Sequence, residues 1–271
     1  MKGIKLLIKR IVPRSVLRYF TGIFYGWTGN FSNWEEAKRK CSGYDSPDIL
    51  KKVKESALLV KNGIAPYERD SVVFDRVQYS FPLLSGLMWI AAQNNGRLNV
   101  LDFGGSLGST YFQNKKFLTS LGFVRWNIVE QPEFVRTGLE SFSDDVLHFY
   151  YSIDDCLKNN HIDVILLSSV LQYLESPYDL LRIIKSMRIK YLMLDRTPFI
   201  KGNDRITKQK VHPGIYKASY PCWGFNRTKF IDYITSDFDL IMEFDSVDEA
   251  NIISEFKGFL FQLNTSQKSS T

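Results

Sequence analysis

The sequence is short of the residues from which cross-links and metal centres are made. Its three cysteines, Cys41, Cys156 and Cys222, are far apart and form no Cys-x-x-Cys. That excludes a disulfide framework and a structural zinc site and fits a reducing, cytoplasmic setting. The three histidines, His148, His161 and His212, have no metal-ligand spacing, so no metal is expected. Long apolar runs are missing too: nothing approaches the roughly 18 consecutive residues of a membrane span, and no signal-peptide cleavage pattern is expected. Acid is missing from the beginning. Before Glu35 there is none, while Lys2, Lys5, Lys9, Arg10, Arg14 and Arg18 match the whole formal net charge of +6. The rest of the chain is neutral by formal count, which argues against a duplex-binding surface, and no nucleic-acid partner is expected.

What is present suffices for a sizeable core: 271 residues, 44% of them hydrophobic. Ile4, Leu7, Ile8, Ile11 and Val12 fall at helical spacing with lysines on another face, and Pro13 ends that basic amphipathic helix. It can lie on an anionic membrane surface, giving a peripheral contact at the inner face of the cell membrane, or pack on the domain. Ser32 and Glu35 form a capping box that predicts a helix from Asn33 to near Gly43. Ser46-Pro47 predicts a second helix ending before Gly63, and a third region is expected over 71–94, interrupted near Pro82. The chain therefore divides into a basic segment (1–24), a helical extension (25–97), a main domain (98–264) and a flexible tail (265–271).

The main domain opens on Asn99-Val-Leu-Asp-Phe-Gly-Gly-Ser-Leu-Gly-Ser-Thr-Tyr111: an apolar strand ending in an acid, a glycine-rich turn and a helix start. A strand that must stop, reverse and let a ligand touch backbone needs residues without Cβ, which singles out Gly104, Gly105 and Gly108 with Asp102 and Ser106. The order is Asp-x-Gly-x-Ser-x-Gly rather than the Gly-x-Gly-x-x-Gly of dinucleotide enzymes. It resembles the first motif of class I S-adenosylmethionine-dependent methyltransferases, with Ser106 in place of the middle glycine. Trp126 to Glu130 reads as the second strand, and Glu130 at its tip is what recognition of two vicinal ribose hydroxyls requires. Val146 to Tyr151 reads as a third strand, Asp163 to Ser169 as a buried central strand, and Tyr191 to Asp195 as a fifth. The segment 201–225 is expected to be a long loop at the carboxyl edge of the sheet. Leu240 to Phe244 and Gly258 to Leu263 read as a terminal hairpin.

Several islands taken together resemble one bacterial family of class I methyltransferases associated with surface-polysaccharide biosynthesis. They are Trp27-Thr-Gly-Asn-Phe31, Trp34-Glu-Glu-Ala37, Gly43-Tyr-Asp45, Tyr67-Glu-Arg-Asp-Ser71, Leu101 to Gly108, Val129-Glu-Gln131, Leu171-Gln-Tyr173, Leu194-Asp-Arg-Thr-Pro198 and Tyr216 to Trp223. The resemblance covers about residues 25 to 245. It implies an α/β, Rossmann-like, seven-stranded class I methyltransferase-like sheet with helices on both faces, and S-adenosyl-L-methionine as cofactor. It implies cofactor contacts from Gln131, from Ser152, Ile153 and Asp154 beside the adenine, and from Ser168 and Ser169 beneath the sulfonium. The acceptor it implies is a sugar or sugar-linked molecule, met by Arg69, Asp70, Tyr216 and Tyr220, with Arg196 or Lys210 able to hold a phosphate. For a hydroxyl nucleophile a base is useful, and His212 and Asp195 are the candidates. Two other readings compete. Tyr111 and Lys115 have the Tyr-x-x-x-Lys spacing of nicotinamide-dependent sugar enzymes, though in the first helix. A non-catalytic scaffold of a glycan-assembly complex is the other.

Overall fold

The computed structural model describes residues 26–43, 47–252 and 254–264. The basic helix expected within 1–24 and the tail after Asn264 lie outside the described residues. The chain enters as β1 (Gly26–Phe31), and α1 (Trp34–Arg39) follows, capped by Asn33. Asn33 Oδ1 accepts the Glu36 N–H at 2.9 Å while Glu36 Oε2 accepts the Ser32 N–H at 2.9 Å. The capping box thus sits one residue later than the Ser32/Glu35 pair, since the Asn33 amide is as good an acceptor as the serine hydroxyl. After α2 (Pro47–Lys61), the helix expected over 71–94 is largely replaced. Tyr67–Arg69 and Val72–Phe74 pair as the hairpin β2–β3, and α3 spans only Phe81–Gln93. Two adjacent valines and a phenylalanine favour extended backbone, and Pro82 is tolerated only because it falls in the first helical turn. The segment before the main sheet is therefore mixed, not all-helical.

Strands and helices then alternate: β4 (Arg97–Phe103), α4 (Ser109–Leu118), β5 (Phe123–Val129), α5 (Pro132–Ser141), β6 (Leu147–Tyr150), α6 (Ile153–Leu157) and β7 (Val164–Ser168). A short 3-10 turn, Leu171–Tyr173, follows β7, and α7 (Pro177–Met187) comes after it. Next, β8 (Tyr191–Ile200) runs on past Asp195. The segment 201–225 is not a loop: it folds as β9 (Arg205–Lys210) and β10 (Ser219–Asn226), which pair antiparallel. The chain closes with α8 (Arg227–Thr235) and the expected hairpin of β11 (Phe238–Asp245) and β12 (Ser254–Leu263), in which Leu240 faces Phe261 and Phe244 faces Gly258.

The main sheet has the order β6-β5-β4-β7-β8-β12-β11, with β12 antiparallel to its neighbours β8 and β11. Parallel strands buried on both faces need apolar residues on both sides, and the alternation in β4 shows the result. Leu98 and Val100 join a core with α2, α3, α4 and α5, whereas Leu101 joins a second core with α6, α7 and α8. This is an α/β, class I methyltransferase-like sheet with helices on both faces. Beyond it, β10 continues from the end of β8 (Phe225↔Phe199, Asn226↔Ile200), and β9 and β1 extend it as a small antiparallel layer at the carboxyl edge.

Candidate active site

The carboxyl ends of β4, β5, β7 and β8 open into a cleft of about 990 Å³, walled on its far side by the β2–β3 hairpin and by β9 and β10. At the end of β4 the chain turns through Gly104 (φ +73°), Ser106 (φ +55°) and Gly108 (φ +97°), all left-handed. A side chain at Gly104 would be strained by that backbone, and its Cβ would stand 2.4 Å from Val170 Cγ2. Gly108 caps α4 and does not line the cleft; Gly104, Gly105 and Ser106 do. Asp102 lies beneath Gly105, whose added Cβ would meet the carboxylate at 2.5 Å. Its Oδ2 accepts the Trp126 indole N–H at 2.9 Å, while Oδ1 has no partner among the described residues. Burial, with the nearby Glu130 charge adding to it and the Trp126 hydrogen bond opposing it, pushes this carboxyl up to about 7.

Glu130 ends β5 where the turn and the start of α5 meet. Its Oε1 accepts the Ser106 N–H at 3.3 Å and its Oε2 the Gln131 N–H at 2.7 Å. Burial raises its pKa and these two N–H groups oppose the rise. A carboxylate held from behind in this way keeps lone pairs for two further donors, which is what a vicinal diol offers. Beyond it, Ser152, Ile153 and Asp154 line the same wall. The Ser152 hydroxyl caps α6, accepting the Asp155 N–H at 3.1 Å.

The floor is built from the end of β7 and the middle of β8, where Ser169 (φ +55°) and Arg196 (φ +55°) are both left-handed. Non-glycine residues in that conformation are strained, and such positions cluster at working sites. Asp195 is 5% exposed. Its Oδ1 accepts the Ser246 hydroxyl at 2.8 Å and its Oδ2 faces Ser168 Oγ at 3.5 Å. Burial raises its pKa against the pull of Arg196. Gln172 spans the floor from Ser169 Oγ (2.9 Å) to the Arg196 carbonyl (3.3 Å). Arg196 donates to Asp70 Oδ2 at 3.1 Å and pairs with Asp248 at 3.5 Å, and Arg69 also faces Asp248 at 4.0 Å. Burial works against its positive charge, but these acids hold its pKa above the ordinary value. With its charge already matched, Arg196 does not suit the phosphate-holding role that the sequence left open for it.

Arg69, Asp70, Tyr216 and Tyr220 line the cleft, whereas Lys210 and His212 do not. Both are exposed on the β9–β10 connection, and His212 Nδ1 accepts the Gly214 N–H at 3.0 Å. Tyr111 is likewise absent from the cleft: it is buried against Trp126 in the core, which removes the Tyr-x-x-x-Lys geometry from the site. Glu68 and Tyr173 are among the cleft residues not singled out by sequence reasoning. Glu68, on β2, is buried and accepts the Ser109 hydroxyl; Tyr173, in the 3-10 turn, donates to Gln209 Oε1 at 3.0 Å and packs edge-on against Tyr220. The acid lies in the Tyr67–Ser71 island, between two expected helices, where nothing local points it at the glycine turn.

No family model and no curated protein matches the chain. Among solved structures it is similar to an S-adenosylmethionine-dependent methyltransferase from Clostridium acetobutylicum, at 11% identity over 69% of this chain and 93% of that one, TM-score 0.45. It is also similar to the N-terminal domain of EvdMO1 in the presence of S-adenosylhomocysteine and D-fucose, at 13% identity over 81% of this chain and 97% of that one, TM-score 0.46. A third is the N-methyltransferase NodS from Bradyrhizobium japonicum in complex with S-adenosylhomocysteine, at 13% identity over 68% and 86%, TM-score 0.42. At such identities and scores the fold class stands on the strand order.

Proposed function

We propose that this protein is an S-adenosylmethionine-dependent methyltransferase that methylates a hydroxyl of a sugar or sugar-linked acceptor in surface-glycan biosynthesis. The observation that carries the reading is Glu130, an acid at the tip of β5 anchored by the glycine-turn and α5 N–H groups. The residues present fit the cofactor: Asp102 Oδ1, buried and without a partner among the described residues, and the left-handed turn leave polar groups at the cleft that a ligand can complete. When bound, S-adenosylmethionine supplies an electrophilic methyl group on a sulfonium, transferred by in-line displacement without a metal.

The chain's own share is to bind, orient and exclude water. Glu130 would hold the ribose hydroxyls, Ser152 to Asp154 would border the adenine, and Ser168 and Ser169 would close the floor. Tyr67, Tyr173, Tyr216 and Tyr220 line the acceptor side, amphipathic rings suited to the mixed apolar and polar faces of a sugar. Because Arg196 is committed to Asp70 and Asp248, the acceptor we favour is uncharged at the reacting ring. Of the two candidate bases, Asp195 lines the cleft and His212 does not, which favours Asp195 for the proton. Among the described residues no helix is long and apolar enough to cross a membrane; the basic segment 1–24 is proposed as a peripheral contact with anionic lipid.

Titration with S-adenosylhomocysteine and, separately, with NAD tests the cofactor. Binding of the former alone is expected, and binding of NAD alone would overturn the reading. Mass spectrometry of the native glycan with and without the gene tests the acceptor, through loss of one methylene mass.

A further inference from the structure

Two buried carboxylates flank the glycine turn without an ion-pair partner among the described residues; Arg196 acts on both from a distance, but its own pairs are Asp70 and Asp248. Glu68 is 3% exposed and Asp102 1%, and both line the cleft. Among the described residues neither forms an ion pair. Glu68 Oε1 accepts the hydroxyl of Ser109, the first residue of α4, its carboxylate also takes the Ser71 backbone N–H, and Asp102 Oδ1 accepts nothing among the described residues. A carboxylate removed from water is costly unless donors or a cation replace the lost hydration. Burial accordingly raises both carboxyls above their ordinary range, the Ser109 hydrogen bond opposing it at Glu68.

The chain has no spare cation for them in the cleft. Arg196 and Arg69 share Asp70 and Asp248, and Lys38 pairs with Glu35 on an exposed face. Binding a ligand that carries a positive charge would complement the two acids in their ionised form. Glu130 marks one end of the cleft and Ser168, Ser169 and Asp195 its floor, and the turn touches both: the Ser106 N–H reaches Glu130 and Gly104 packs against Val170, with the first turn of α4 and Glu68 beside it.

Resting on the cofactor reading above, we propose that Glu68 binds the α-ammonium group of the cofactor's methionine portion, with Asp102 as the second acid beneath the turn. An ammonium offers three donors and a full charge, which matches a carboxylate with open lone pairs and a second acid with an unpartnered oxygen. The Ser109 hydroxyl aims Glu68 from the helix side. Through Glu68 the β2–β3 hairpin, outside the main sheet, becomes part of the cofactor site.

Calorimetric titration of wild type and Glu68→Gln with S-adenosylhomocysteine and with 5′-methylthioadenosine, which has the same nucleoside but no amino-acid portion, tests the assignment. Glutamine keeps the acceptor for Ser109 and removes the charge. S-adenosylhomocysteine affinity is expected to fall about tenfold or more while 5′-methylthioadenosine binding stays within about twofold. Glu68→Asp, which keeps the charge on a shorter stem, should recover part of the difference. Equal loss of both ligands, or loss of neither, overturns the assignment while leaving the cofactor reading in place. Wild-type protein that binds neither ligand overturns both.

Discussion

Glu130 is held by two backbone N–H groups that do not depend on its ligand, so removing its side chain should empty the site without disturbing the sheet. Glu130→Ala is expected to weaken S-adenosylhomocysteine binding by more than about tenfold, two charge-assisted hydrogen bonds being lost, with an unchanged melting temperature. Unaltered affinity in the titration would remove Glu130 from the cofactor site. Asp102 carries a prediction of a different kind. Its carboxyl, pushed up to about 7 in the folded protein, binds its proton more tightly than in the unfolded chain, where carboxylates titrate near about 4. Its contribution to the stability of the ligand-free protein is therefore greatest at low pH and lost as pH rises from about 4 to about 7. Asp102→Asn cannot ionise, yet its amide oxygen can still accept from Trp126. It should melt several degrees above wild type at pH 8 and near wild type at pH 4, in thermal scans without ligand.

At the scale of elements, the β2–β3 hairpin is tied to the sheet by polar contacts more than by strand pairing. It pairs only with itself, and Asp70 at its tip reaches Arg196 in the middle of β8. Arg196→Ala would leave Asp248, which is largely buried, without its nearest counter-charge and release the hairpin tip. A loss of about 2 kcal/mol is expected, tempered by the exposure of Asp70. Hydrogen exchange should quicken over residues 67–74 before it does in β4. Equal protection of the hairpin in wild type and variant would show that Arg196 does not hold it. The same hairpin marks where local reading failed. Val72, Val73 and Phe74 were strand formers in plain view, but the helical signals on either side, Ser46-Pro47 before and Pro82 to Gly96 after, drew them into a helix.

For the whole molecule, charge and layering set the expectations. The positive charge matched by the first eighteen residues is proposed to act on anionic lipid rather than in the cleft. Removing residues 1–24 should abolish co-sedimentation with phosphatidylserine vesicles at low salt and leave S-adenosylhomocysteine affinity unchanged. Full-length protein that ignores such vesicles would assign the segment to packing. The small β1-β9-β10 layer closes the far side of the cleft, placing Gln209 and Tyr220 opposite Tyr173. A chain read as sheet, long loop and hairpin hid this layer. The alternation of β9 is short, and its partner β1 lies about 180 residues earlier.

The sequence by itself determined the parts whose signal is local. Strands β4, β5 and β7 follow from apolar runs, the glycine turn from residues able to adopt left-handed backbone, Glu130 from its place at a strand tip, and the final hairpin from two alternating runs. Only the tertiary structure decided which side chains meet in the cleft. Glu68 finds Ser109 across 41 residues, Asp70 finds Arg196 across 126, and Ser246 finds Asp195 across 51. His212, chosen for its chemistry, is left outside the cleft. The physical reason is that periodicity and turn chemistry act over a few neighbouring residues, whereas pairing between distant carboxylates, hydroxyls and guanidinium groups depends on strand order and on the crossing of the chain over the sheet.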